Sequence, residues 1–138
     1  MATKNWIQTY ENRRLDPLTL QPEQVGSIDE IAHSLSLKAR FTGQTREFYS
    51  VAEHCVRGAQ LLAPAFAGAF LLHELSEVYL PDIASPLKPE VRVRVDSSAG
   101  AHMSWAELEQ MHLTAILRAL GLSSLEALIY SPEVKTMD

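Results

Sequence analysis

After about residue 27, apolar residues recur every three or four positions, the spacing of one buried helical face. Ser27, Ser50 and Ser104 are each followed three residues later by glutamate: Glu30, Glu53 and Glu107. Each pair fits a capping box, in which the serine hydroxyl accepts a backbone N–H and the glutamate reaches back. The first predicts a helix with Ile31, Leu35 and Leu37 on its buried face. The second predicts a helix to about Leu62. Pro64 opens a third, expected to run to about Leu80, where Pro81 stops it. Behind Ser104, the residues Leu108, Met111, Ile116, Leu117 and Leu120 keep helical spacing as far as Gly121, placed for a C-terminal cap. A shorter helix is expected over 125–130, and Ser131-Pro132 begins a last one, with proline in its first turn.

Strand signals are few. Residues 1–26 read as an irregular lead-in punctuated by Pro17, Pro22 and Gly26, with one short strand or extended piece at 5–10. Val91 to Val95 alternate with period two, but the run is short and lacks an evident partner. It reads as a loop or β-like excursion, followed by low-complexity loop at about 96–103. The expected fold is therefore all-α: one helical domain over 27–138 behind the lead-in.

Composition narrows the function. The 138 residues are 46% hydrophobic and 21% charged, ordinary for one soluble domain with a proper core. A net charge of −5 argues against a dedicated nucleic-acid or membrane-surface binder, which carries a basic patch. A small anionic substrate remains open to it, since a metal can supply local positive charge. Cys55 is the single cysteine, so no internal disulfide forms, and it reads as a small buried hydrophobe. The first residues lack the apolar run of a signal peptide, and the apolar segment from Ala63 to Leu72 is too short to span a bilayer. A cytoplasmic protein is expected. Trp105 and Tyr130 fit either core or a homo-oligomer interface.

Reactive groups concentrate in one stretch, 71–82, which carries His73, Glu74, Glu77 and Asp82. On a continuous helix His73 and Glu77 would share a face, with Glu74 about a hundred degrees round. Two acids and an imidazole in an apolar helix cost folding energy unless something satisfies them, and a divalent metal does so directly. Taken alone, the same pair also fits an ordinary solvent-facing edge. His54 alone reads as structural, Asp138 as a frayed end, and Asp82 as the cap of a short turn.

Together these residues resemble the HD-domain phosphohydrolases, whose mark is a first His, a His-Asp pair on a later helix and a distant Asp on one divalent metal. His54 matches the first histidine, His73 the second, and Asp138 the distant aspartate. Position 74 holds Glu where the family has Asp. The nearest likeness is to small bacterial and phage nucleotide hydrolases of the 5′-deoxynucleotidase kind. It extends through 76–88, through Ile31-Ala32-His33-Ser34-Leu35-Ser36 and through Arg40-Phe41-Thr42-Gly43, covering about 27–90 and 104–138. The resemblance implies a metal-dependent nucleotide phosphohydrolase. Its metal would be Mn²⁺, Co²⁺, Fe²⁺, Zn²⁺ or Mg²⁺, held by His54, His73, Glu74 and Asp138. Glu77 and Asp82 would be catalytic acids outside the metal shell. Arg40 would approach phosphate or sugar, Phe41 would lie against sugar or base, and His33 would line the pocket. Arg46 and Lys88 would be further phosphate contacts. The alternative is a degenerate relative that binds a nucleotide or a partner without hydrolysing it.

Overall fold

The computed structural model describes residues 6–95 and 100–138. The readings of the first five residues, and of 96–99 as loop, fall outside the described residues. The chain is mostly helical. Its helices are α1 (Ile28–Leu37), α2 (Val51–Leu61), α3 (Pro64–Leu72), α4 (Trp105–Ala119), α5 (Glu126–Ile129) and α6 (Pro132–Met137). Among the described residues two small antiparallel strand pairs accompany them: β1 (Ile7–Gln8) with β2 (Arg14–Leu15), and β3 (Arg92–Arg94) with β4 (His102–Ser104).

The second pair corrects the all-α expectation. The alternating run at 91–95 has a partner after all, with Arg92 opposite Ser104 and Val93 opposite Met103. Pairing was illegible because His102 and Met103 carry no alternation of their own. The lead-in is also more than a lead-in. Leu15 and Leu20 are almost fully buried and belong to the main core with Ile31, Val51, Phe70, Ile116 and Leu117. Leu37 is not on the buried face: it is 66% exposed at the last turn of α1.

The caps hold in part. Ser27, Ser50 and Ser104 each accept the expected backbone N–H, but among these three helices the reciprocal glutamate bond closes only at Ser104 with Glu107. Glu30 is buried instead. It accepts from Arg13 Nη2 at 2.6 Å, the Tyr79 hydroxyl at 2.6 Å and the Glu11 backbone N–H at 2.9 Å. Its place at the helix start is taken by Glu11, which accepts from the Ser27 N–H at 3.0 Å. This exchange ties the first hairpin to α1 and to Tyr79.

The third helix is shorter than expected. It ends at Leu72, and a 3-10 turn over Leu75–Glu77 follows. The Phe70 carbonyl, which would accept from residue 74 in a continuing α-helix, accepts from the backbone N–H and ring Nδ1 of His73. Glu74 then leaves helical geometry at φ −100°, ψ 15°. Upstream, Gly58 lets α2 and α3 approach closely. A Cβ there would lie 2.0 Å from the Phe70 ring.

Candidate metal centre

Four side chains from three parts of the chain converge. His54 comes from the second turn of α2, His73 and Glu74 from the end of α3, and Asp138 from the end of α6. His54 Nε2 lies 3.3 Å from His73 Nε2 and 2.9 Å from Asp138 Oδ1. His73 Nε2 lies 3.1 Å from Asp138 Oδ1 and 3.0 Å from Glu74 Oε1. One ligand atom from each of the four falls within 4.8 Å of every other.

These separations suit one small cation. Donors about 2.1 Å from a metal stand about 3.0 Å apart in an octahedron and about 3.4 Å apart in a tetrahedron. Two imidazoles with two carboxylates are a donor set for Mn²⁺, Fe²⁺, Co²⁺ or Zn²⁺. The bond from His73 Nδ1 to the Phe70 carbonyl, 2.5 Å long, fixes the ring tautomer and leaves Nε2 as the free lone pair. The residues therefore fit a divalent ion. Glu74 reaches the cluster despite its extra methylene, because the chain has left the α-helix before it.

The electrostatics call for positive charge at the same point. Burial disfavours an imidazolium at His73, yet Asp138, the Cys55 thiol and Glu74 push the ring up to about 12. Hydrogen bonds from His54 and His73 hold Asp138 far below the usual carboxylate range. Burial, reinforced by the neighbouring carboxylates of Glu74 and Asp82, pushes Glu77 up to about 9. Among protein groups alone, protons supply the positive charge; a bound cation would displace them.

The cluster opens on a cavity of about 500 Å³, within the usual range for small-molecule sites. Glu74 and Asp138 form part of its wall, Glu77 and Asp82 stand beside them, and Arg40, Phe41 and Lys88 complete its polar and aromatic lining. Arg40 Nη1 is 3.8 Å from Asp138 Oδ1, and its guanidinium lies 4.8 Å from the centre of the Phe41 ring. Lys88 is tethered to Glu109 at 3.2 Å. Two expected residues lie elsewhere. His33 is stacked on Tyr10, ring centres 3.8 Å apart, and Arg46 is exposed; neither lines this cavity. The cause at His33 is helical phase: Ile31 and Leu35 face the core, which turns position 33 toward the first hairpin.

Phe41, Thr42 and Gly43 all have positive φ, at 55°, 55° and 75°. Such a conformation is costly for Phe and for β-branched Thr, and strain of this kind collects at ligand-binding sites. It presents the Phe41 ring at the cavity mouth, 61% exposed.

No protein-family model matches the chain. It is 48% identical over 61 residues to uncharacterized protein YfdR of Escherichia coli K12, a match covering 44% of this chain and 34% of that one. It is 38% identical over 95 residues to an uncharacterized protein of Rhodobacter capsulatus, covering 62% of this chain and 48% of that one. The matches thus span about a third to a half of these curated relatives. Among the described residues no helix is long and apolar enough to cross a membrane.

Sequence reasoning missed three residues at the centre. Phe70 supplies the carbonyl that orients His73, and its ring packs against both histidines, with centres 5.2 Å from His54 and 4.3 Å from His73. Cys55 was read as core, and it is buried, but its thiol also touches His73. Lys38, the residue directly after α1, carried no sequence signal, and its ammonium is turned inward onto the carbonyls of Glu77, Val78 and Leu80.

Proposed function

We propose that the protein is a metal-dependent phosphohydrolase of the HD type acting on nucleotides, with deoxynucleoside mono- or triphosphates as its substrates. The observation that carries this reading is the convergence of His54, His73, Glu74 and Asp138 beside a cavity that also holds two further acids and an arginine. A divalent ion held there would supply Lewis-acid polarisation of a phosphoryl oxygen and water of near-neutral pKa. The chain's own groups do the rest. Glu77 and Asp82, both on the cavity wall, are placed to donate a proton to a leaving oxygen and to orient or deprotonate the attacking water. Arg40, at the edge of the cluster, is placed to neutralise phosphate, with Lys88 on the same cavity. The exposed Phe41 ring offers a face for sugar or base.

The competing reading is a protein that binds a nucleotide without turnover, and it rests on Glu in place of Asp at position 74. The 3.0 Å approach of Glu74 Oε1 to His73 Nε2 favours the enzyme. The test is phosphate and polyphosphate release from a panel of nucleotides with Mn²⁺, Co²⁺ or Mg²⁺, beside a His73→Ala control. Metal-dependent release absent from the control supports the reading, and the product separates monophosphate from triphosphate hydrolysis. No release with any metal, or equal release by the control, overturns it.

A further inference from the structure

We infer that Lys38 is a positioning residue that holds the segment bearing Glu77 and Asp82 in place beside the metal-ligand cluster; its catalytic meaning rests on the function proposed above. Lys38 follows directly on α1 and has extended backbone, φ −92° and ψ 123°. Its carbonyl accepts from the Val51 N–H at 2.9 Å, which pins it to the first residue of the helix carrying His54. Two residues on, the Arg40 N–H donates to the Tyr49 carbonyl at 2.9 Å. The Lys38 backbone is thus fixed between one metal ligand's helix and the cavity's arginine.

The side chain runs the other way. Its ammonium donates to the carbonyls of Glu77, Val78 and Leu80, the last two at 3.0 and 2.8 Å. An ammonium has three N–H donors, and all three are used. Ser34, one turn earlier on α1, adds a hydroxyl to the Val78 carbonyl at 2.5 Å. These acceptors need partners because α3 has ended at Leu72, so the buried segment over 77–80 has no helical N–H groups to meet its carbonyls. A buried carbonyl without a donor is costly. Burial drives the lysine down to about 8, while Glu77 and Asp82 favour its charged form. Lys38 does not line the cavity, so it acts through the segment it holds and not on a substrate.

The test uses Lys38→Met in the full chain, followed by amide exchange of residues 77–82, Co²⁺ titration and steady-state turnover. Exchange at 77–82 should accelerate at least about tenfold, as expected for a segment that loses the ammonium bridging three of its carbonyls. Turnover should lose about 100-fold in kcat, the scale set by misplaced catalytic groups. KM and Co²⁺ affinity should stay within about threefold, because the four metal ligands, Arg40 and Phe41 all lie outside the released segment. Lys38→Arg, which keeps charge and donors, should recover part of the kcat. Should Lys38→Met fail to fold, Lys38→Gln, which keeps two N–H donors without charge, is measured in its place. Unchanged exchange at 77–82 overturns the inference. So does a parallel fall of kcat and Co²⁺ affinity in step with the folded fraction, which marks a structural role only. If the wild-type protein turns over no nucleotide, the proposed reaction fails; the exchange and Co²⁺ readings still decide whether Lys38 holds the segment.

Discussion

Gly58→Ala should damage the metal centre from beneath without touching a ligand. A Cβ at this position would lie 2.0, 2.4 and 2.7 Å from Cε1, Cζ and Cδ1 of Phe70. Ordinary carbon contacts are about 3.5–4.0 Å, so the ring must retreat by more than about 1 Å. It has no free space: Phe70 is 0% exposed and packs against both His54 and His73. Overpacking of this kind costs about 1–3 kcal/mol. In a domain this size that lowers the melting temperature by about 2–8 °C per kcal/mol. Because the Phe70 carbonyl also orients His73, metal affinity should fall by roughly 10–100-fold, the usual cost of disturbing a ligand's support. Urea unfolding in chelator gives the first quantity and Co²⁺ titration the second. A double variant, Gly58→Ala with Phe70→Leu, should recover at least about 1 kcal/mol relative to the sum of the single changes, since the two sites touch. An unchanged urea midpoint together with unchanged Co²⁺ affinity in Gly58→Ala would refute the packing argument.

Three further outcomes are expected. His54→Ala, His73→Ala and Asp138→Ala should each abolish the melting-temperature rise that Mn²⁺ or Co²⁺ gives the wild type; at 100 times Kd that rise corresponds to about 2.7 kcal/mol, and differential scanning fluorimetry with and without chelator reads it. Glu30→Gln should cost about 1–3 kcal/mol at pH 7, because it weakens charge-assisted bonds from Arg13 and Tyr79 in a buried site. Burial works against the Glu30 carboxylate, but bonds from Tyr79, Thr9, the Glu11 N–H and Arg13 outweigh it and lower its pKa below the ordinary 4.5. Its stabilisation is therefore full above about pH 4.5 and disappears as pH falls through the lower folded value, so wild-type and variant unfolding curves should converge in acid and stay apart at pH 7. Thr42→Asn should raise stability by about 0.5–1 kcal/mol by relieving a β-branched residue at φ 55°; a lower melting temperature would show that the turn is held by contacts the asparagine breaks.

Much of the architecture could be read along the chain because its signals are local. Serine caps, proline starts and a glycine stop depend on bonds within a few residues, and α2, α4 and α6 begin close to where those signals place them. The reactive groups were legible for a different reason: imidazoles and carboxylates are scarce in apolar stretches, and their order along the chain resembles a known pattern. The structure then brought His54, His73, Glu74 and Asp138 together across up to 84 residues of sequence.

Other features depended on competition between local and distant partners. Glu30 has the spacing of a capping residue, but Arg13 and Tyr79 offered stronger bonds in the interior, and Glu11 took over its cap. Helical periodicity continues past Leu72, yet His73 claims the Phe70 carbonyl and the helix stops, and Lys38 and Ser34 then meet carbonyls over 77–80. Strand β4 has no alternation of its own and exists because β3 lies opposite. His33 lost its expected place when Ile31 and Leu35 set the phase of α1. The local preferences were therefore fixed by the chain alone. Which of two competing hydrogen bonds forms, and what each acid finally faces, was decided by neighbours that only folding brings within reach.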